Sequence, residues 1–411
     1  MRTRLDRGVR RSLRLVVLVA CAALLSGCWP QIGADGGHTR NNPVETTLTP
    51  ANVNGLHQVW SATASGGISE PLIWKGRAYV TSSSANGIGV RAVSLVDGTT
   101  AWETSLLGGV SGEGSLVLGT DVTLVGGQLR SGHLGFAPIT RVGPVCVMGI
   151  DVLDPATGAK SGGPPVFPSP TASDAGTTAY TALDISPSPD CGLDGVDLHV
   201  TSGATSWSAS YPDFPSGAFL PTVAGGQVFL SHTSSLDAYA AAGCGGSTCS
   251  PTWTRDLGAS PATPVAGPTG AVFVSVGGDL LGLDRSTGAE LWRASGAGGS
   301  LALAQGTVYV AGSSGGTPTL RAFAADGCGA ASCSPTWTAT LPGTAVTSVA
   351  VGGNVVYTAT TSGVQAFATS GCGAATCSAL VDVPQPAGGT ITVGQGRVLL
   401  ASSGTLTALA L

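Results

Sequence analysis

Six tryptophans recur at nearly even intervals, and intervals of this size admit few architectures. Trp60, Trp102, Trp207, Trp253, Trp292 and Trp337 stand 42, 105, 46, 39 and 45 residues apart. With one tryptophan-less unit between Trp102 and Trp207, the period is about 40 to 50 throughout, which is the size of a propeller blade rather than of a helical repeat. Some 20 to 30 residues before the tryptophan place, each unit carries a Gly-led apolar stretch. Examples are Gly76-Arg77-Ala78-Tyr79-Val80, Gly226-Gln227-Val228-Phe229-Leu230, Gly306-Thr307-Val308-Tyr309-Val310 and Gly396-Arg397-Val398-Leu399-Leu400. A turn followed by such residues predicts a central strand. The 63 glycines and a charged fraction of only 10% agree with an all-β chain built from small and β-branched residues.

A third mark is clearest at Asp284-Arg285-Ser286-Thr287-Gly288-Ala289-Glu290-Leu291-Trp292, with weaker copies at Asp97 to Trp102 and Asp154 to Gly158. Asp, Thr and Gly predict a tight hairpin turn, which places the tryptophan on the outer strand that follows. This Asp-x-x-Thr-Gly-x-x-x-Trp pattern resembles the repeat of the PQQ-type (pyrroloquinoline-quinone-type) β-propellers, a superfamily of quinoprotein dehydrogenases and of non-catalytic lipoproteins such as the outer-membrane β-barrel assembly factor. The resemblance implies that each tryptophan packs against the neighbouring blade.

Counting units predicts an eight-bladed β-propeller, with seven blades as the alternative. The first blades are expected at Glu70 to Leu106, Glu113 to Phe167 and Thr177 to Tyr211, and the next four should end near Trp253, Trp292, Trp337 and Val381, the last in a tryptophan place. Gly388 to Leu411 holds only three strands' worth of chain, so Leu56 to Thr63 is expected to supply the fourth and close the ring. Residues 1–27 then read as a signal peptide, 28–55 as an N-terminal tether and lead-in, and 56–411 as the propeller. The lead-in, with Trp29-Pro30-Gln31-Ile32-Gly33-Ala34-Asp35 and Thr39-Arg40-Asn41-Asn42-Pro43, is similar to that of quinoprotein alcohol dehydrogenases and their silent relatives, which implies packing against the propeller and no cofactor ligand.

The export signal is legible residue by residue. Arg2, Arg4, Arg7, Arg10, Arg11 and Arg14 precede the uncharged apolar run Leu15 to Leu25, which is too short for a spanning helix of roughly 20 residues. Leu25-Ser26-Gly27-Cys28 resembles a lipobox, and this implies cleavage before Cys28 and a lipid on its sulfur, hence an extracytoplasmic, membrane-anchored protein. The remainder keeps 12 of the 18 Lys/Arg and 22 of the 23 Asp/Glu. A net charge near −10 makes nucleic acid an unsuitable partner.

Eight further cysteines follow Cys28. Cys244 and Cys249, Cys328 and Cys333, and Cys372 and Cys377 share the string Gly-Cys-Gly-x-x-x-Cys-Ser and take the place of the Asp-x-x-Thr-Gly turn, so each pair is expected to clip one hairpin. Cys146 and Cys191 would then pair across the second and third blades. Redox exchange and zinc are the competing readings, although a closed zinc site needs convergent knuckles and these pairs lie in separate blades.

No catalytic, metal or cofactor residue is assigned. Quinoprotein dehydrogenases hold their quinone against a disulfide between adjacent cysteines, with Ca²⁺ on Glu and Asn and an Asp base. This chain has no Cys-Cys pair. His38, His57, His133, His199 and His232 are scattered, Gly108 to Gly112 follows no strand-to-helix switch, and Asp194-Gly195-Val196-Asp197 falls short of a calcium loop. The expectation is a non-enzymatic binding scaffold for a protein or cell-envelope polymer, using a propeller rim that includes the irregular stretch Gly126 to Pro189. A PQQ-binding dehydrogenase is the alternative.

Overall fold

In a computed structural model the described residues are 27–411, except 65, 85–86, 106–118, 162–170, 186–192, 213–219, 386–387 and short stretches between 122 and 155. They are almost entirely strand, with one short 3-10 turn at Val53–Gly55. No helix among them is long and apolar enough to cross a membrane. Among the described residues, eight sheets of four or five strands succeed one another along the chain, antiparallel except where Asn41–Asn42 pairs parallel with Val346–Gly352, with two additional short hairpins near residues 124–148. The fourth sheet is typical: Thr222–Ala224, Gln227–His232, Ser235–Ala240 and Trp253–Asp256 pair in sequence order. Its tight turn at Gly225 and Gly226, both at positive φ, is the predicted Gly signal read out as backbone geometry.

The innermost strands of sheets three to eight pack side by side in order, and that of the eighth meets that of the first. The apolar core lies between neighbouring sheets: one cluster joins Phe273 and Trp292 of the fifth to Val308 and Phe323 of the sixth, and another joins Tyr309 and Trp337 of the sixth to Val351 and Phe367 of the seventh. The eighth sheet unites both ends of the chain. His57–Thr63 pairs antiparallel with Thr405–Ala410, His57 opposite Ala410 and Thr63 opposite Thr405.

The third sheet differs from expectation at its start. Its innermost strand is Thr171–Asp174, ahead of the expected Thr177. Four short, mostly polar residues give no apolar alternation to read, and only pairing with Thr177–Ile185 defines them as a strand.

Each tryptophan docks on the hairpin of the next sheet. The indole N–H groups of Trp60, Trp207, Trp253 and Trp292 donate to the carbonyls of Leu95, Ala241, Arg285 and Ala325 at 3.0 to 3.2 Å. Beneath each ring lies a glycine at positive φ. A β-carbon on Gly98, Gly288 or Gly327 would come within 2.7 Å of Trp60, Trp253 or Trp292 respectively, so the close approach and the left-handed backbone both demand glycine.

Two kinds of hairpin form these docking platforms. In one, Asp284 Oδ1 accepts from the N–H groups of Ser286 and Thr287 and from the Thr287 hydroxyl at 2.8 to 2.9 Å. In the other, a disulfide closes the turn: Cys244–Cys249, Cys328–Cys333 and Cys372–Cys377, each with Cα atoms 5.6 Å apart. The clips also reach across to the preceding sheet. Arg293 N donates to Ala331 O and Cys333 N to Arg293 O, a one-residue parallel bridge that recurs at Ser208 with Thr248 and at Thr338 with Thr376. Replacing Cys328 and Cys333 together by serine is therefore expected to lower stability by about 2 kcal/mol, the loop-closure value for six residues, with urea unfolding as the measurement. Cys146 and Cys191, the fourth expected pair, lie outside the residues whose side chains are described.

Val381 stands in a tryptophan place for a topological reason. The eighth sheet has no third-to-fourth hairpin, because its third strand ends the chain and its fourth arrives from the N-terminus. There is no turn for an indole to dock on, and Val381 and Val383 pack instead into the core with Val53 of the lead-in and Leu56 of the closing segment.

Candidate functional site

The end of the central channel is spanned by the chain's own residues 29–45. Trp29, fully buried, exchanges backbone hydrogen bonds of 2.9 Å with Ile73, and its indole donates to Glu70 Oε1 at 3.0 Å. Gly33 N also donates to Glu70 Oε1, and Arg40 Nη2 pairs with Glu70 Oε2 at 2.9 Å. From there the segment crosses the innermost strands in turn. Val223, Ala266, Leu303 and Val351, from sheets four to seven, donate their N–H groups to the carbonyls of Gly36, Gly37, Thr39 and Arg40 at 2.7 to 2.9 Å. Asn42 Nδ2 then reaches Val393 O of the eighth at 2.9 Å. Inner strands that would otherwise end in unpaired amides are satisfied by this cap.

Close approach strains the cap. A β-carbon on Gly37 would lie 1.8 Å from Ala266 O, and Ala34, His38 and Arg40 hold positive φ, a conformation that persists only where surrounding contacts fix it. His38 is buried with Nε2 2.9 Å from Pro221 O and Nδ1 3.1 Å from Ile32 O; burial lowers its pKa. Asp35 accepts from the Thr39 N–H and hydroxyl, and burial pushes its carboxyl up to about 6. Folded Asp35 thus holds its proton more tightly than the unfolded chain does, so this group's contribution to stability grows as pH falls through 6 and is lost above it. Asp35→Asn should compare most favourably with the wild type above pH 7 and lose that advantage by pH 4.5, read as the difference between urea midpoints.

Above the cap lies a cavity of about 210 Å³, lined by Ile32, His38, Arg40, Leu220, Val265 and Leu301 with small residues between them. These residues do not fit a quinone site. His38 and Arg40 are engaged with backbone carbonyls and Glu70, and the tryptophans of the repeat sit between sheets on outer strands, away from the channel. Among the described residues no three His, Cys, Asp or Glu side chains converge as a metal site requires.

A second polar cluster escaped sequence reading. Between the third and fourth sheets, His232 Nε2 lies 3.1 Å from Asp237 Oδ2, the Tyr211 hydroxyl is 3.0 Å from the same oxygen and 2.5 Å from the Tyr239 hydroxyl, and Thr254 donates to Asp237 Oδ1 at 2.6 Å. Burial drives both tyrosine pKa values upward. Burial also works to raise that of Asp237, but hydrogen bonds from His232, Thr254 and Tyr211 outweigh it and hold the carboxylate below its ordinary range. The hydroxyls and the Asp237 carboxylate bond one another and, with His232 beside them, tie two sheets together. Spread over five positions on four strands, they leave no local motif.

The remaining expected residues are dispersed. His57 is exposed on the closing strand and bonds Gly55 O, and His199 stacks on Tyr180 with ring centroids 5.0 Å apart. His133 and Asp194 lie outside the described side chains. Cys28 is a free thiol, half-buried beside Lys75 and Gln395, whose Nε2 is 3.7 Å from its sulfur; burial pushes the thiol pKa up.

With this geometry in place, comparison with solved structures defines the class by fold: the chain is similar to β-propellers. The family model described as outer membrane protein assembly factor BamB matches residues 245–328 and 276–410. Among solved structures, the quinohemoprotein alcohol dehydrogenase of Comamonas testosteroni superposes with a TM-score of 0.62 at 13% identity, over 93% of this chain and 80% of that one. A europium-containing methanol dehydrogenase gives 0.63 at 10%, over 94% and 98%. BamB from Moraxella catarrhalis gives 0.54 at 18%, over 87% and 98%. Comparison with curated protein sequences finds no match.

Proposed function

We propose that this is a non-catalytic scaffold on the extracytoplasmic face of the cell membrane, held by lipid on Cys28, which binds a protein or a cell-envelope polymer through a propeller rim. The observation that carries the reading is the cap: residues 29–45 occupy one end of the channel and commit their polar groups to the inner strands. The cavity beside the cap has its polar residues, His38 and Arg40, already engaged. The match to a family described as an assembly factor supports a binding role in the envelope. Within Gly126 to Pro189, the hairpin Ile139–Val142 with Val145–Met148 interrupts the connection between the second and third strands of its sheet. Connections of that kind emerge on the face opposite Cys28, which makes this face the binding rim.

Cys28→Ala should move the protein from the membrane to the soluble fraction, and mass spectrometry should find a lipidated Cys28 at the mature N-terminus. Replacing the 126–189 loops with short turns should lose a partner captured from membranes by the intact protein. The dehydrogenase reading, favoured only by the two enzyme superpositions, forecasts a bound chromophore and alcohol- or sugar-dependent dye reduction after addition of pyrroloquinoline quinone and Ca²⁺; our reading forecasts neither.

A further inference from the structure

We infer that the face carrying Cys28 lies flat against the lipid bilayer, so that the propeller is held in one orientation instead of swinging on a tether. The inference rests on the lipid-anchor reading above, but it comes from separate observations.

The first is the lack of slack. Trp29, the residue after Cys28, is fully buried and locked to Ile73 by two backbone hydrogen bonds of 2.9 Å. A lipid on Cys28 therefore joins the propeller body with no flexible residue between them. Cys28 sits where the first turns of the eighth and first sheets meet, and Gly76 N donates to Gln395 Oε1 across that junction at 2.9 Å.

The second is where apolar surface lies. In the first sheet and in the third to seventh, the first-to-second turn and the third-to-fourth hairpin share one face, as bonds such as those from Leu95 N to Gly76 O, Ala241 N to Gly226 O and Ala325 N to Gly306 O require. That face also carries the cap. Among the described residues, six large apolar side chains are exposed: Val44, Val59, Val96, Leu291, Leu380 and Leu411. Val44 belongs to the cap, Val96 to the hairpin of the first sheet, Leu411 to the end of a third strand and Leu380 to the entry of a fourth, all on this face. Val59 and Leu291 lie near it, at the beginnings of outermost strands. Val96 is 75% exposed and directly follows Leu95, whose carbonyl binds Arg397 at the same junction.

The third is the chemistry beside the anchor. Lys75 stacks on Trp74 with its ammonium 4.1 Å from the ring centroid, an amphipathic pair of the kind that sits at lipid headgroups. Three aspartates of this face, Asp97, Asp154 and Asp284, turn their carboxylates into their own hairpins, and Asp326 of the sixth sheet's hairpin is exposed.

The test uses the full-length lipidated protein in phosphatidylcholine vesicles bearing a headgroup-linked quencher. A fluorescent amino acid is placed at position 96, or at position 314 on the opposite face, where Thr307–Ser314 ends. A strand of that length separates the two faces by roughly 25 Å. Emission from position 96 should be quenched severalfold more than from 314, and inserting ten Gly/Ser residues between Cys28 and Trp29 should bring the two to parity. Equal quenching in the uninserted protein, with mass spectrometry showing lipid on Cys28, would overturn the orientation alone. An unlipidated N-terminus would instead remove the anchor reading on which it rests. Burial of position 96 in cells but not in vesicles would assign the face to a protein partner and equally refute the inference.

Discussion

Trp292→Ala is expected to destabilise the protein by about 3–5 kcal/mol, the range for removing a buried large aromatic side chain. Trp292 is 1% exposed. Its ring lies between Phe273 of its own sheet and Phe323 of the next, with centroids 6.0 Å from each, and its N–H bonds Ala325 O. The substitution leaves an unpaired carbonyl and a void at the joint between two sheets, beneath the hairpin that Cys328 and Cys333 clip. Leu291→Ala is the comparison, since this neighbour is 47% exposed and its loss should cost less than about 1 kcal/mol. Urea unfolding of the two variants decides the matter: similar losses would mean that the repeated tryptophan is not what couples the sheets.

Deleting residues 29–63 should have a larger and qualitatively different effect. It removes the fourth strand of the eighth sheet and bares the edge of Thr405–Ala410, an invitation to intermolecular pairing. It also takes away the carbonyls that receive the N–H groups of Val223, Ala266, Leu303 and Val351. The expected outcome is aggregation, visible as high-molecular-weight material in size-exclusion chromatography with light scattering. A narrower variant separates the two causes. Glu70→Ala keeps the closing strand but leaves Trp29, Gly33 and Arg40 without their shared acceptor, and it should destabilise the protein while leaving it monomeric. A monomeric, cooperatively folding deletion variant would show that neither closure nor cap is needed.

Much of this architecture could be read before any coordinates, because its determinants are local. A tryptophan period and an Asp-x-x-Thr-Gly turn are written within a few residues, as are the paired cysteines, and each maps onto one hairpin. Of the features built from distant residues, the closing strand was legible, because the last unit is one strand short; most others were not. The cap meets the inner strands through backbone carbonyls, which leave no signature in the residue types of Gly36, Gly37, Thr39 and Arg40; Gly37 is restricted by its approach to Ala266, and Thr39 and Arg40 by side-chain bonds to Asp35 and Glu70 that only the fold brings together. The Tyr211, His232, Asp237 and Tyr239 cluster is assembled across a sheet boundary. The valine at 381 looked like an irregular repeat, and only topology explains it.

The closure has a temporal side. His57–Thr63 is synthesised more than 340 residues before Thr405–Ala410, its pairing partner, and Asn41 waits similarly long for Val351. Sheets three to six can each form from contiguous chain, whereas the eighth needs strands from both ends of it. Contacts of such sequence separation are slow to form. The final, slowest phase of folding should therefore be the return of the earliest-made strand, which stays unpaired until almost the whole chain is available.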